Sequence, residues 1–143
     1  MKRILLLGFL ALSAASLTGV PVLTNDYNKD GEPDQWYEVS DGRVTRLSMD
    51  RNYDGRIDYT VIFDSQGRKV REEMDFDHDG QMDDFYFYEA GKLVRQEIDS
   101  NYDGQVDIWV YLDGMYIQRV EMDTSFDGIV DTVQDYAAEA SSD

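Results

Sequence analysis

The sequence predicts an all-β protein in which antiparallel β-hairpins repeat as five units of about 24 residues. Three observations lead to this fold class. A nine-residue acidic segment recurs at an almost constant interval along the chain. Each copy precedes a short run of aromatic and β-branched residues, which favour strands over helices. Glycine then follows most of these runs, where a tight turn would join two strands into a hairpin.

The acidic segments share the pattern D-x-[N/D/S]-x-D-G-x-x-D and start at residues 26, 50, 75, 99 and 123. A period of this length is typical of a repeat architecture. The chain has 143 residues and a net charge of −17, and more than half of its 30 acidic residues occupy positions 1, 3, 5 and 9 of these segments. The acidic charge is therefore concentrated in loops, whereas in a disordered chain it is spread along the sequence.

The runs that follow the loops are predicted to be strands over residues 35–39, 59–63, 84–88, 108–112 and 132–136. Turns at Gly42, Gly67, Gly91 and Gly114 lead the first four runs into a second strand that ends at the next loop. This pattern gives about nine strands. Aromatic residues fall on both faces at residues 84–88, which favours a curled or two-layered array over a flat sheet.

The second strands carry a regular alternation of charge. Arginine stands four positions before each of the later loops, and methionine or isoleucine stands directly before it. Three steps along a strand reverse the face, so these two sets point to opposite sides. Glutamate shares the arginine side, which predicts a charge-paired ladder; the alternative is an arginine stripe that binds an anionic glycan or lipid. The residues are Arg46, Arg71, Arg95 and Arg119; Met49, Met74, Ile98 and Met122; and Glu73, Glu97 and Glu121.

Three large aromatic residues occupy equivalent places in their units. Trp36, Phe85 and Trp109 each stand second after the last aspartate of a loop, so they should share one face. We expect them to form an aromatic ladder in the core. The alternative is an exposed aromatic patch that contacts a partner.

The N-terminus resembles an export signal. A basic start, Met1-Lys2-Arg3, precedes an apolar run over residues 4–12 and then small residues. This layout predicts a signal peptide over residues 1–19, and hence a secreted or periplasmic protein; the alternative is a buried N-terminal helix. The run is too short for a standard membrane span. Residues 17–19 are lipobox-like, but Val20 stands where a lipidated cysteine would be. The repeat domain then covers residues 20–136, and residues 137–143 form a flexible tail.

The composition excludes several function classes. The chain has no cysteine and one histidine, His78. Disulfide scaffolds, cysteine-ligated zinc, iron–sulfur clusters and cysteine nucleophiles are therefore excluded. The strong negative charge repels phosphate backbones, so we expect no nucleic-acid partner.

The loop pattern fits a hard cation. Calcium takes six to eight oxygen ligands, and an EF-hand loop supplies them from side chains at positions 1, 3 and 5 and a carbonyl at position 7, with glycine at position 6. Magnesium fits less well because it demands octahedral geometry and keeps its waters. The sequence therefore predicts up to five Ca²⁺ sites. The predicted ligands are Asp26, Asp50, Asp75, Asp99 and Asp123 at position 1; Asn28, Asn52, Asp77, Asn101 and Ser125 at position 3; Asp30, Asp54, Asp79, Asp103 and Asp127 at position 5; the carbonyls of Glu32, Arg56, Gln81, Gln105 and Ile129 at position 7; and Asp34, Asp58, Asp83, Asp107 and Asp131 at position 9.

The loops depart from an EF-hand at position 12, where the bidentate glutamate is replaced by Tyr37, Val61, Tyr86, Val110 and Gln134. With aspartate at position 9 and strands on both sides, they resemble the calcium loops of integrin-type propeller repeats. They are also similar to thrombospondin type 3 and dockerin loops, without the cysteines of the former or the helices of the latter. The chain as a whole resembles bacterial secreted EF-hand-like calcium-loop repeat proteins, with the spacing of YD-type β-hairpin repeats. This resemblance implies a β-repeat scaffold that binds calcium.

Two functions follow from these predictions. The first is a secreted or periplasmic calcium-binding repeat protein, without catalytic activity, in which Ca²⁺ staples the scaffold. The alternative is a calcium-stiffened adhesion module that contacts a surface glycan or protein. An enzyme is disfavoured because catalytic carboxylates need contrasting environments, whereas these carboxylates are copied five times.

Overall fold

The computed structural model describes residues 21–137. The predicted signal peptide over residues 1–19 and nearly all of the predicted tail lie outside this range. Within it, all ten elements are β-strands, which confirms the all-β prediction, and no helix is long and apolar enough to cross a membrane. The strands are β1 Val22–Asn25, β2 Gln35–Ser40, β3 Arg43–Met49, β4 Tyr59–Phe63, β5 Lys69–Met74, β6 Asp84–Glu89, β7 Lys92–Ile98, β8 Ile108–Asp113, β9 Tyr116–Met122 and β10 Thr132–Asp135.

The ten strands form one antiparallel sheet in chain order, from β1 at one edge to β10 at the other. The prediction of a curled or two-layered array is therefore wrong for residues 21–137. Every connection is short and joins immediate neighbours, so no strand returns to form a second layer. The sheet has one strand more than the sequence indicated, because β1 precedes the first acidic loop and pairs with β2.

The two ends of the sheet carry different connections. The acidic loops join β1 to β2, β3 to β4, β5 to β6, β7 to β8 and β9 to β10, so all five lie at one end. Hairpin turns lie at the other end. In the turn between β2 and β3, both Asp41 and Gly42 have positive φ (51° and 74°), as a type I′ turn requires.

One side of the sheet is the arginine face, defined by Arg46, Arg71, Arg95, Arg119 and the residues in register with them. Each arginine pairs with a glutamate of the same hairpin, as in Arg71–Glu73 at 2.8 Å and Arg95–Glu97 at 3.3 Å. The guanidinium of Arg95 also lies 4.2 Å from the centre of the Phe87 ring. The predicted charge-paired ladder is therefore present, and its cations are already matched by anions.

The other side is the apolar face. Its central cross-strand row is Leu23, Tyr37, Leu47, Val61, Glu72, Tyr86, Gln96, Val110, Val120 and Gln134. Val61 is the only hydrophobic residue of the described chain that is buried, at 2% exposed. The expected aromatic core ladder is wrong, since Trp36, Phe85 and Trp109 lie half-buried on the arginine face. They share one cross-strand row there but are separated by intervening strands.

Candidate metal centres

The five acidic loops share one backbone conformation. Glycine at position 6 has φ between 85° and 103°, and the non-glycine residue at position 4 has φ between 58° and 66°. A left-handed conformation costs an L-residue roughly 1–2 kcal/mol. Hydrogen bonds to the first aspartate hold the chain there: Tyr53 N–H donates to Asp50 Oδ1 at 2.6 Å, and Gly55 N–H donates to Asp50 Oδ2 at 2.7 Å. All five loops therefore keep the same backbone conformation in spite of its local conformational cost.

The last aspartate of each loop holds the first residues of the loop in place. In the second loop, Asp58 Oδ2 accepts hydrogen bonds from the backbone N–H groups of Arg51 (2.9 Å) and Asn52 (3.2 Å). Asp34 and Asp131 accept equivalent pairs in the first and fifth loops. The hydrogen bonds to positions 1 and 9 therefore hold the backbone of each loop in place.

The carboxylates divide into a buried floor and an exposed mouth. Positions 1 and 9 are buried throughout the interior of the array, at 3–5% exposed: Asp34, Asp50, Asp58, Asp75, Asp83, Asp99, Asp107 and Asp123. The exceptions, Asp26 and Asp131, belong to the two outermost loops. Positions 3 and 5 are exposed in all five loops. Burying a charge is costly unless a partner compensates it, so each floor needs a counter-charge or a dense set of donors.

The third loop brings its carboxylates closest together. Oxygens of Asp75, Asp77 and Asp83 lie within 4.8 Å of one another, the only such group of acidic or imidazole side chains among residues 21–137. Burial raises the pKa of Asp83, and the charges of Asp77 and Asp75 raise it further. Like charges this close oppose one another's ionisation. A divalent cation would remove that conflict.

The other loops have an amide or hydroxyl at position 3, which explains why three carboxylates do not converge in them. In the second loop, Asn52 Nδ2 donates to Asp54 Oδ2 at 3.1 Å. The same contact recurs between Asn28 and Asp30. These side chains are neutral donors that also carry an oxygen suited to calcium.

One buried oxygen lacks a partner. Asp58 Oδ1 is inaccessible and accepts no hydrogen bond, although Asp58 Oδ2 accepts two. His78 of the third loop lies beside the other oxygen, with its Nδ1 3.7 Å from Asp58 Oδ2. A buried carboxylate oxygen without a donor is rare in native proteins and calls for an explanation such as a bound ion.

The position-7 residues are exposed, and their side chains do not join the floor. Their predicted role uses the backbone carbonyl and stays a prediction. Two of these side chains instead touch the next loop: Arg56 Nη1 donates to the carbonyl of Asp79 at 2.9 Å, and Gln81 lies against Gly104. These contacts were not predictable from the sequence, because the repeat does not show which side chains cross between units.

Backbone hydrogen bonds join successive loops directly. The N–H of Asp50 donates to the carbonyl of Asp34 at 2.8 Å, and the N–H of Asp75 donates to the carbonyl of Asp58 at 2.9 Å. The same bond links the later loops. Because two strand spacings separate successive loops, the loops stand about 10 Å apart in a row.

No family model matches the chain, and no curated protein matches it. Solved structures resemble it in fold. A crystal structure of accessory secretory proteins 1, 2 and 3 in Streptococcus pneumoniae aligns over 66% of this chain with 19% identity and a TM-score of 0.50. A GtfA/B complex bound to UDP and GlcNAc aligns over 94% with 10% identity and a TM-score of 0.54. The chain spans only 18% and 28% of those chains, so the likeness concerns the sheet architecture alone.

Proposed function

We propose that this is a secreted or periplasmic calcium-binding repeat protein in which Ca²⁺ ions bind the acidic loops and stabilise the sheet. The observation that carries the proposal is the buried, unpartnered Oδ1 of Asp58. A buried carboxylate oxygen whose lone pairs accept no hydrogen bond, in a loop whose other potential ligand atoms are oxygens, has the chemistry of a calcium ligand.

The donor set favours calcium over other cations. Each loop offers carboxylates at positions 1, 5 and 9, an oxygen-bearing side chain at position 3 and a backbone carbonyl at position 7. Copper and zinc prefer imidazole or thiolate ligands, whereas the five loops together contain no cysteine and a single imidazole, His78 of the third loop. Calcium also tolerates irregular geometry, which suits loops that differ at position 3.

The proposed role is structural. Each loop joins two neighbouring strands, and its ends are bonded to the loops beside it. A cation that binds only the folded loop adds its binding free energy to folding. Calcium would thus replace disulfides as the staple of a sheet that buries few apolar residues.

Secretion is part of the same proposal. The basic start and apolar run of residues 1–19 support export, and weak calcium loops with a Kd of about 10⁻⁴–10⁻³ M suit extracellular calcium. The adhesion alternative gains less support, because the arginines are paired with glutamates.

Calorimetric titration tests the proposal. Protein stripped with EDTA and dialysed should give saturable heat with millimolar CaCl₂, because the floor carboxylates exchange mutual repulsion for a cation. MgCl₂ should bind at least about tenfold more weakly, since it dehydrates reluctantly. An absence of calcium heat at millimolar concentration would overturn the proposal.

A further inference from the structure

The apolar face of residues 21–137 leaves many apolar side chains partly exposed to water. Its aliphatic and tyrosine side chains lie half-buried in a single layer, and Val61 alone is well covered. Sheets with one apolar face are stable when that face packs against a second layer. Within residues 21–137 no second layer exists, because all strands belong to one sheet.

The charged groups at the centre of this face are satisfied among themselves. Glu72 is only 6% exposed and accepts hydrogen bonds from Tyr59 OH at 2.6 Å, from Lys69 Nζ at 2.6 Å and from Tyr88 OH. Lys69 also neutralises its charge. A layer placed over this cluster therefore needs to supply no donor or counter-charge.

The carboxylate of Asp84 also finds its hydrogen-bond donors among neighbouring side chains. It is 5% exposed, and it accepts hydrogen bonds from Gln96 Nε2 at 2.9 Å and from Tyr86 OH at 2.8 Å. All three side chains lie on the apolar face. The face can thus be covered without leaving these polar groups unpaired.

The size of the face matches a stable interface. With strands about 4.8 Å apart and a rise of about 3.3 Å per residue, ten strands of about five residues cover roughly 800 Å². A standard stable interface buries about 800 Å² on each partner. The occupant must be equally wide and carry the same twist.

We propose that the apolar face binds the apolar face of a second copy of this chain, which forms a two-layered β-sandwich dimer. A second copy presents a sheet of equal width and equal twist, the condition for aligned packing of two sheets. All five acidic loops lie at one end of each sheet. Repulsion between them favours a two-fold axis that runs across the strands, with the acidic ends of the two copies at opposite ends of the dimer.

Sedimentation equilibrium of the purified protein at 1–100 µM in 0.15 M NaCl tests the dimer. The wild type should sediment at twice the chain mass. Val110→Lys should weaken association at least about 100-fold, because it buries a charge in the interface. The matched control is Trp109→Lys, its neighbour in β8 on the arginine face, which should leave the dimer intact.

Circular dichroism establishes that each variant keeps its strands. Val110→Ser gives a milder second variant, for which we expect association roughly tenfold weaker than in the wild type. A wild type that is monomeric at 100 µM would overturn the proposal. Equal dissociation of the dimer by Trp109→Lys and by Val110→Lys would also overturn it.

Discussion

Calcium should raise the free energy of unfolding of this protein by about 2–7 kcal/mol at 1 mM, relative to the same protein in EDTA. Each loop contributes about 0.4 kcal/mol if its Kd is about 10⁻³ M and about 1.4 kcal/mol if its Kd is about 10⁻⁴ M, and five loops add their contributions. The physical cause is the floor of buried aspartates, whose charges lack a bound counter-ion in the absence of calcium. Urea unfolding followed by circular dichroism measures the shift in midpoint.

The control for this experiment is ionic strength. A chain with a net charge of −17 gains stability from any salt that screens its charge. NaCl at matched ionic strength should therefore shift the midpoint far less than calcium. Equal midpoints in calcium and in NaCl would show that calcium only screens the negative charge of the loops and does not bind them.

Replacing Glu72 with alanine should lower the free energy of unfolding by about 3 kcal/mol, since it removes the acceptor shared by a lysine and two tyrosines on the apolar face. The matched control is Glu73→Ala, the next residue in β5. Glu73 lies on the opposite face in an ion pair with the half-exposed Arg71. Such pairs contribute about 0–1 kcal/mol, and urea unfolding of both variants gives the comparison.

The effect of Glu72 depends on pH. Burial opposes its ionisation, but hydrogen bonds from Lys69, Tyr59 and Tyr88 outweigh burial and hold its pKa below the ordinary 4.5. A lowered pKa means that the stability it contributes is present above about pH 4.5 and is lost as the pH falls through the folded value. The gap between wild type and Glu72→Ala should therefore narrow in acid. A gap that is constant from pH 7 to pH 3 contradicts the role of the charged carboxylate.

The repeat made the strands and their faces predictable from sequence. Residues 59–63 and 84–88 form strands as expected, and the arginine and methionine positions lie on opposite faces. Both features depend on local alternation with a period of two, which residue types report directly. Glycines 42 and 91 likewise lie in two-residue turns.

Long-range features were not predictable in the same way. Whether a meander closes depends on twist accumulated over many strands, and no single repeat encodes it. The predicted place of Trp36 and Trp109 was wrong, because it assumed that the largest aromatic side chains fill a core. At the sites, the sequence named the acidic residues, but burial of positions 1 and 9 arises from neighbouring loops and strands, which the nine-residue pattern does not include.

Counting bound ions tests the central claim most directly. Native mass spectrometry of the protein equilibrated with calcium should find up to five Ca²⁺ ions per chain, one for each acidic loop. Asp58→Asn should reduce the count by one, because it weakens the second site, whereas Asp113→Asn, the same change at the last residue of β8 and at the opposite end of the sheet, should leave the count unchanged. A wild type that retains no calcium, or an Asp58→Asn variant that retains as many ions as the wild type, would contradict calcium binding by these loops.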